Sequence, residues 1–301
     1  MTDISFDGRV AIVTGAGGGL GRTYALELAS RGAAVVVNDL GGSVGGEGGD
    51  HTAAQKVVDE IKAKGGDAVP SYDSVSSPEG GEAIVATAVD SFGKVDVVIN
   101  NAGILRDKSF LKMEWADLDA VLDVHLRGAF YVSKPAFKVM KENGYGRFVF
   151  TASSSGIFGN FGQTNYGAAK SGLVGLSNVL AVEGAKSGIL SNCICPIAAS
   201  RMTEDLLGPL SAKLAPEHVT PMTVYLSSEA CTLTHEVFSA AGGRYARIFT
   251  GLTPGWYGGG GEPASVEDIA THLAEIESQE GYIVPTSNAD ELQALMATFQ
   301  G

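Results

Sequence analysis

Tyr166, Lys170 and Ser153 have side chains and a spacing suited to moving a proton. Tyr166 and Lys170 lie four residues apart, and Ser153 lies thirteen residues before Tyr166. If this segment is a helix, positions i and i+4 share a face, and the lysine ammonium lies near the tyrosine phenol. A nearby cation favours the phenolate and lowers a tyrosine pKa from its usual value of about 10. Ser153 would then bind the substrate oxygen that Tyr166 protonates or deprotonates, although a surface tyrosine and lysine on a helix would show the same spacing.

A nucleotide site near the N-terminus would supply the cofactor with which these three residues could act. The apolar run 10–14 predicts a buried parallel strand, a glycine-rich turn follows it, and residues 20–30 show helical spacing. Glycines let a backbone approach a pyrophosphate, and a helix N-terminus stabilises its negative charge. This order predicts dinucleotide binding by Gly15, Gly19, Leu20 and Gly21. Their spacing differs from the commoner Gly-x-Gly-x-x-Gly, and a flexible glycine loop is the alternative.

Asp39 follows a second predicted strand, at residues 34–37, and lies eighteen residues after Gly21. An acidic residue at this distance can bind the adenosine ribose hydroxyls and would repel a 2′-phosphate. The pattern therefore favours NAD over NADP as the cofactor. The other interpretation is that Asp39 is only a turn residue before a glycine-rich loop.

These motifs, together with Asn100-Asn101-Ala102-Gly103, resemble the short-chain dehydrogenase/reductase family in order and spacing over roughly the first 200 residues. Further segments are similar to one subgroup, the dehydrogenase domains of peroxisomal multifunctional enzymes type 2, which also has relatives that are stand-alone bacterial chains. These segments are residues 37–42, 72–75, 100–107, 125–128 and 156–163. The resemblance implies oxidation of (3R)-hydroxyacyl-CoA esters, and close relatives of the subgroup also act at C17 of steroids.

The resemblance implies roles for residues whose own pattern indicates only turns. It implies that Asp73 contacts the adenine edge and that Val75 lines the adenine pocket. It also implies that Tyr166 and Lys170 contact the cofactor, with Lys170 holding the nicotinamide ribose. The implied floor under the adenosine ribose is a consecutive trio: Asn101, Ala102 and Gly103.

Two positions depart from the wider family. His125 stands where most members have an asparagine that supports a water relay to the lysine, and the narrower subgroup also has histidine there. A neutral imidazole can donate and accept hydrogen bonds, so His125 could serve the relay; the alternative is a satisfied histidine on a helix. Pro196 is followed by Ile197 instead of the usual glycine in the loop that carries the nicotinamide amide. Ser200 or Thr203 would supply the hydroxyl for that contact.

The combined pattern predicts an enzyme, an NAD-dependent oxidoreductase that acts on a secondary alcohol. In oxidation, Tyr166 would take the hydroxyl proton, Ser153 would fix the oxygen, and His125 would extend a water relay. The first hypothesis is a (3R)-hydroxyacyl-CoA dehydrogenase of β-oxidation, acting on fatty or steroid side-chain thioesters. The alternative is a 17β-hydroxysteroid dehydrogenase acting on free steroids. A non-catalytic NAD-sensing module, the third hypothesis, would have no need of Ser153, Tyr166 and Lys170.

Composition narrows the classes of partner. The 301-residue chain carries a net charge of −13, which disfavours nucleic acid, because binding nucleic acid depends on clustered Lys and Arg. An anionic acyl-CoA could still bind, because it needs only a local basic patch. The candidate residues for such a patch are Arg106, Lys108, Arg127 and Arg201. The alternative for each of them is an ordinary solvated surface charge. The cysteines, Cys193, Cys195 and Cys231, show no zinc-ligand spacing, so we expect buried thiols and no metal.

The termini and the hydropathy pattern predict a cytoplasmic protein with no membrane interaction. Residues 1–8 lack a basic start and an apolar signal core. No run approaches the roughly 20 apolar residues that span a bilayer. Residues 298–301 do not form a peroxisomal address.

The fold that positions these residues is predicted to be α/β, a doubly wound Rossmann fold with a parallel seven-stranded sheet. Strand patterns alternate with helical stretches, which indicates helices on both faces. The predicted strands are 10–14, 34–37, 68–72, 95–99, 148–152, 190–195 and 237–240, and the helices are 20–30, 52–64, 79–92, 118–141 and 165–187. The cleft should open at the C-terminal strand ends, where the motifs fall.

Residues 1–250 are predicted to form the dinucleotide-binding and catalytic domain. Residues 251–301 would form a C-terminal helical extension, with helices at 265–277 and 288–298, that packs on the same domain or on a neighbouring subunit. The glycine-dense loop 41–49 is long for its position, which predicts mobility or a cover over the cofactor. Segment 203–216 is predicted to be helical. By analogy with the family, four apolar residues in or next to it are candidates for the wall of the substrate pocket, and the alternative is ordinary core: Met202, Leu206, Leu207 and Leu210. By analogy with the family, we expect a homodimer or homotetramer.

Overall fold

The computed structural model describes residues 3–199, 213–259 and 261–299. The chain forms two compact units, Met1–Arg247 and Ile248–Gly301. This division lies close to the predicted boundary at residue 250. The predicted helix 203–216 and its neighbours Ser200, Arg201 and Met202 lie almost wholly outside the described residues, as do Leu206, Leu207 and Leu210.

The first unit is built on a single sheet of eight strands in the order β3-β2-β1-β4-β5-β6-β7-β8. The strands are β1 Val10–Thr14, β2 Ala34–Asn38, β3 Asp67–Ser71, β4 Val97–Asn100, β5 Gly146–Thr151, β6 Ile189–Ile197, β7 Glu236–Ala241 and β8 Arg244–Ile248. The strands β1 to β7 pair in parallel. The predicted α/β fold and its seven parallel strands are therefore confirmed.

The eighth strand was not predicted. Strand β8 follows β7 after only Gly242 and Gly243, and such a short connection joins antiparallel neighbours. Residues of β8 are exposed or only partly buried, with Arg244 and Arg247 in a five-residue strand. An edge strand with this composition lacks the apolar run from which the buried strands were identified. The sheet thus has eight strands instead of seven.

Helices cover both faces of the sheet. They are α1 Gly19–Ser30, α2 Thr52–Ala63, α3 Pro78–Phe92, α4 Trp115–Leu122, α5 Gly128–Asn143, α6 Ser154–Phe158, α7 Thr164–Gly184 and α8 Thr220–Ser227. Helix α1 contacts α2 and α8, and this layer buries side chains such as Tyr24, Leu28 and Ile61. In the other layer, α3 packs on α5, and α7 packs on β5 and β6.

Helices α4 and α5 are the two ends of one long helical segment. Between them Asp123–Arg127 forms a π-helical turn, so helical structure is continuous from Trp115 to Asn143. The predicted helix 118–141 is confirmed in position. The π-helical turn was not predicted, and it carries His125. Turns of this kind are rare and occur frequently at functional sites.

The second unit contains short helices and an isolated antiparallel bridge between Leu252 and Ile283. The predicted helix 265–277 is two pieces, Val266–Thr271 and Leu273–Ile276, because helical geometry breaks at His272, whose ring stacks on Trp256 at 4.1 Å between centroids. The predicted helix 288–298 is confirmed as Asn288–Thr298. Whether this unit packs on the first unit or on a neighbouring subunit stays a prediction.

No helix in the described part of the chain has the length and the apolar composition needed to cross a bilayer.

Candidate active site

The glycine turn after β1 is packed so closely that side chains would not fit at two positions. A Cβ on Gly21 would lie 2.2 Å from the Gly15 carbonyl oxygen, and a Cβ on Gly15 would lie 2.8 Å from the Ala102 Cα. Gly15 also has a φ of +64°, which favours glycine. The turn therefore needs glycine for its own fold, and its exposed backbone is available to a ligand. This is the cradle expected of a dinucleotide pyrophosphate.

Thr14 and Asn101 tie the end of β1 to the end of β4. The Thr14 Oγ1 accepts hydrogen bonds from the backbone N–H groups of Asn101 at 3.0 Å and Ala102 at 3.1 Å. The Asn101 Nδ2 donates to the carbonyl oxygens of Thr14 at 3.0 Å and Gly15 at 3.1 Å. The positions of the glycine turn and of the 101–103 segment are thus fixed together. Thr14 has a positioning role that the sequence analysis did not assign to it.

Asp39, at the end of β2, holds the backbone of two glycine-rich segments. Its Oδ2 accepts from the Gly17 N–H at 2.8 Å, and its Oδ1 accepts from the Gly41 N–H at 2.6 Å. Asp39 also lines the cleft. Both interpretations of this residue therefore have support, because it organises a turn and lines the cleft beside the glycine turn. Each carboxylate oxygen keeps a second lone pair for ribose hydroxyls.

One cleft of about 550 Å³ lies at the C-terminal ends of the strands. It is lined by every predicted catalytic residue and by every predicted cofactor residue except Gly21: Ser153, Tyr166, Lys170, His125, Gly15, Gly19, Leu20, Asp39, Asp73, Val75, Asn101, Ala102, Gly103 and Pro196. Gly21 serves instead in the close packing under the turn. The volume falls within the range of about 300–1,000 Å³ for ligand sites.

Tyr166 and Lys170 lie in the first turns of α7, and Ser153 precedes α6. The Lys170 Nζ lies 5.4 Å from the Tyr166 ring centroid and donates a hydrogen bond to the Thr151 carbonyl oxygen. Ser153 is the N-cap of α6, where its Oγ accepts from the Ser155 N–H at 3.1 Å. The end of β5 and the start of α7 thus bring the hydroxyl, the phenol and the ammonium to one wall of the cleft.

The pKa values of this wall correct one expectation. Desolvation by burial raises the pKa of Tyr166 to about 12, and a hydrogen bond with Ser153 only partly offsets the rise. Burial also lowers the pKa of Lys170 to about 7. We expected Lys170 to lower the tyrosine pKa; in the structure burial dominates, and both groups shift towards their neutral forms. The sequence spacing shows proximity but not depth of burial, and depth decides the sign here.

His125 occupies the π-helical turn and is almost fully buried. Its Nε2 lies 3.0 Å from the Ile104 backbone nitrogen and 2.8 Å from the Ile104 carbonyl oxygen. Burial, followed by the Lys170 charge, holds its pKa well below the usual value, so the imidazole is neutral. Its ring meets Tyr166 edge-on at 5.2 Å between centroids, and its Nδ1 has no hydrogen-bond partner among the described residues. His125 is therefore packed as a core histidine and also lines the cleft.

Two amide side chains near Tyr166 were given no role of their own in the sequence analysis, although Gln163 lies in the segment 156–163 that resembles the subgroup. Gln163 lines the cleft, donates from Nε2 to Asp107 at 2.6 Å, and accepts from the Asn160 Nδ2 at 3.0 Å. Asn165 donates to the Arg106 carbonyl oxygen at 3.1 Å and accepts from the Tyr166 N–H at 2.8 Å. Asn165 could have been indicated only by its closeness to Tyr166 in the chain, because amide side chains have no distinctive spacing.

The basic residues proposed for a CoA patch are paired with carboxylates where they are described. Lys108 lies 2.8 Å from Asp117, and Arg106 lies 3.8 Å from the same side chain. Arg127 pairs with Asp123 one helical turn away. Arg201 lies outside the described residues. These contacts favour the interpretation as ordinary surface charges over a dedicated patch of free cations.

The predicted buried thiols are confirmed within the described residues. Cys193, Cys195 and Cys231 are buried free thiols. Burial raises the pKa of Cys195 to about 12, which makes it a poor metal ligand or nucleophile. No group of His, Cys, Asp and Glu residues in the described part of the chain could hold a metal ion.

Comparison with known proteins identifies the family. Residues 9–207 match the family model described as short chain dehydrogenase. The chain is 51% identical to a short-chain type dehydrogenase/reductase of Mycobacterium tuberculosis over 278 residues, covering 91% of this chain and 95% of that protein. It is 54% identical to peroxisomal multifunctional enzyme type 2 of Mus musculus over 246 residues, which is 81% of this chain but 33% of that protein.

A solved structure agrees with these matches. The full-length peroxisomal multifunctional enzyme type 2 from Drosophila melanogaster superposes with a TM-score of 0.83 at 36% identity, covering 99% of this chain and 50% of that chain. The chain therefore spans half or less of the length of these two multifunctional enzymes. The predicted likeness to their dehydrogenase domains and the predicted enzyme class are confirmed. The protein belongs to the short-chain dehydrogenase family of oxidoreductases.

Proposed function

We propose that the protein is an NAD-dependent dehydrogenase that oxidises the 3-hydroxyl group of (3R)-hydroxyacyl-CoA thioesters. The observation that carries the proposal is that Ser153, Tyr166 and Lys170 line the same cleft as the glycine turn. A nucleotide on the turn and an alcohol beside the tyrosine would then meet in one space. The similarity to peroxisomal multifunctional enzymes supports the thioester class.

Each of the residues that line the cleft has a separate role in the proposed reaction. The Ser153 hydroxyl holds the alcohol oxygen, and the Tyr166 phenolate takes the hydroxyl proton as the hydride leaves the carbon. Lys170 lies near enough to stabilise the phenolate and to bind a ribose hydroxyl. NAD, when bound, supplies the hydride acceptor. The buried neutral His125 keeps the 104 backbone, and with it this wall of the cleft, in place.

The choice of NAD over NADP rests on Asp39. Its carboxylate lines the nucleotide end of the cleft and is held there by the N–H groups of Gly17 and Gly41. A fixed anion in this position accepts hydrogen bonds from ribose hydroxyls and repels a 2′-phosphate. We expect Asp39→Ala to reduce the preference for NAD over NADP at least tenfold in kcat/KM.

The amides of Gln163 and Asn160 support a substrate with a second polar group. Both side chains line the cleft and are held in place by hydrogen bonds with each other and with Asp107. Each amide nitrogen has a second hydrogen to donate. A thioester carbonyl two bonds from the reacting carbon would suit such a donor, whereas a simple secondary alcohol has no group to use it.

The exposed apolar residues of α5 and α7 support a homo-oligomer. Phe130, Val179 and Val182 are about half exposed, at 49%, 55% and 55%. Large apolar side chains repeated on a helix surface are typical of a face covered by another subunit. We propose a homodimer or homotetramer formed through these helices.

The test is NADH formation with a matched panel of alcohols. The panel contains (3R)- and (3S)-hydroxyacyl-CoA, a steroid side-chain CoA ester and a free 17β-hydroxysteroid, each with NAD and with NADP. Turnover of the (3R)-thioesters with inert (3S) forms is the expected result. Turnover of the free steroid alone would overturn the proposal in favour of a 17β-hydroxysteroid dehydrogenase. A Tyr166→Phe variant with full turnover would overturn the catalytic assignment.

A further inference from the structure

The loop formed by residues 41–49 borders the nucleotide end of the cleft. Gly42, Ser43, Val44 and Gly46 of this loop line the cleft. Its base is closed by the Asp50 N–H, which donates to the Gly41 carbonyl oxygen at 3.1 Å, and its tip by the Gly46 N–H, which donates to Ser43 at 3.0 Å. The loop therefore has a defined conformation beside the space that a dinucleotide would fill.

Three consecutive residues after β4 hold this loop from the opposite side. The Leu105 N–H donates to the Val44 carbonyl oxygen at 3.0 Å. The Arg106 Nε–H donates to the Gly45 carbonyl oxygen at 3.0 Å. A Cβ on Gly46 would lie 3.1 Å from the Ile104 side chain, so backbone and side chain are in close contact there. The loop 41–49 thus packs on segment 104–106 and is hydrogen-bonded to it.

The same segment supports the catalytic wall. The Ile104 backbone bonds the His125 imidazole. The Arg106 carbonyl oxygen accepts from Asn165, whose Oδ1 in turn accepts from the Tyr166 N–H. A displacement of segment 104–106 would therefore affect both the nucleotide end and the reacting end of the cleft.

Arg106 is the member of this segment whose side chain reaches the loop without lining the cleft. Its guanidinium lies 3.8 Å from Asp117, and the two side chains are 27% and 13% exposed. The Lys108 ammonium also bonds Asp117, at 2.8 Å, which fixes the carboxylate. An arginine so anchored presents a planar, oriented N–H to the Gly45 carbonyl, and a lysine cannot reproduce that geometry.

We propose that Arg106 is a positioning residue for the nucleotide: it holds the 41–49 loop against segment 104–106, so that cofactor affinity depends on a side chain outside the cleft. This inference rests on the proposed function, because it takes the ligand beside the loop to be a dinucleotide. The role is distinct from that of a CoA-binding cation, since the guanidinium is committed to Gly45 and Asp117.

The test compares Arg106→Lys with Arg31→Lys. Arg31 is a matched control because it also joins a carboxylate, Glu27, to a backbone carbonyl, that of Ile4, but at the far end of α1 from the glycine turn. Fluorescence titration with NADH should show affinity weakened about tenfold in Arg106→Lys and unchanged in Arg31→Lys. In turnover, the KM for NAD should rise by a similar factor while kcat at saturating NAD stays within about twofold.

A second measurement reads the loop directly, with no cofactor present. Hydrogen exchange of peptides covering residues 41–49 should be faster in Arg106→Lys than in the wild type, and Gly46→Ala, which displaces the loop from Ile104, should act in the same direction. Unchanged exchange in Arg106→Lys, or an equal loss of NADH affinity in Arg31→Lys, would overturn the inference. Wild-type protein that bound neither NADH nor NADPH would overturn the proposed function and this inference with it. Wild-type binding that Arg106→Lys leaves unchanged overturns the inference alone.

Discussion

A methyl group at position 103 should displace the imidazole of His125, which packs on Tyr166. The Cβ of Gly103→Ala would lie 2.3 Å from the His125 Cε1 and 3.0 Å from its Nδ1. Gly103 is not among the glycines with positive φ, so the substitution is not opposed by backbone strain. The clash with a buried, hydrogen-bonded ring is therefore the whole perturbation.

Two contributions set the expected loss of folding stability in Gly103→Ala. Overpacking of a buried site costs about 1–3 kcal/mol. If the ring moves, the bond between His125 and the Ile104 backbone is lost as well, at about 0.5–1.5 kcal/mol. We expect Gly103→Ala to lower the free energy of unfolding by about 2–4 kcal/mol in urea denaturation, and to reduce kcat/KM because Tyr166 packs on the same ring.

A double-mutant cycle isolates the clash. His125→Ala removes the ring that the new methyl meets, so Gly103→Ala should cost at least 1 kcal/mol less in that background than in the wild type. Gly175→Ala serves as the control, because its Cβ meets no atom of the described part of the chain within 4 Å and it lies in α7, far from His125, so its effect on stability should be the same in both backgrounds. Additive costs for Gly103→Ala and His125→Ala would refute the contact on which the reasoning depends.

Three further outcomes follow from the same structure. Tyr166→Phe should lower kcat by a factor of about 10² to 10⁴ in steady-state assays, while NADH affinity, measured by fluorescence, changes less than about twofold; strong loss of NADH binding would contradict the assigned role. Burial lowers the pKa of Lys170 to about 7, so between pH 7 and the unfolded value near 10 the unfolded chain binds more protons and stability rises with pH. Lys170→Met should flatten that rise, by at most about 1.4 kcal/mol per pH unit, in urea unfolding at pH 7 and 9, and an unchanged slope would show that Lys170 is charged in the folded protein. Val179→Glu with Val182→Glu should dissociate the oligomer in light scattering, whereas a wild-type monomer at micromolar concentration would remove the proposed interface.

Most of the fold could be predicted because strands β1, β2, β4, β5 and β6 are largely buried on both faces. Strands β1, β2 and β4 are runs of Val, Ile and Ala that end in a single polar residue, and such apolar runs are typical of a parallel sheet. Strand β8 does not fit this rule, because an edge strand with exposed arginines has no apolar run. The break at His272 was missed for another reason: the residue stacks on Trp256, a contact that helical spacing does not indicate.

The sequence was enough to predict many of the residues that line the candidate site, but not the direction of their pKa shifts. Motif order placed the glycine turn, Asp39 and Tyr166 at the same edge of the sheet, and they line one cleft. Hydrogen-bonded supports such as Thr14 and Asn165 depend on the approach of segments far apart in the chain, which no local pattern records. The sign of the tyrosine pKa shift depends on burial, which appears only in three dimensions.

The upward shift of the Tyr166 pKa leads to a last prediction, about the conditions under which Tyr166 can act as a base. Burial favours neutral Tyr166 and neutral Lys170, so a phenolate at neutral pH needs additional positive charge near the phenol. The nicotinamide of NAD carries a positive charge that the nicotinamide of NADH lacks. The pH dependence of kcat at saturating NAD should therefore report a base with a pKa well below 12, absent in Tyr166→Phe. Ultraviolet titration with NADH in place of NAD should show that tyrosine still protonated at pH 9. Equal tyrosine titration with both nucleotides would mean that the protein alone, through Lys170 and Ser153, sets the pKa.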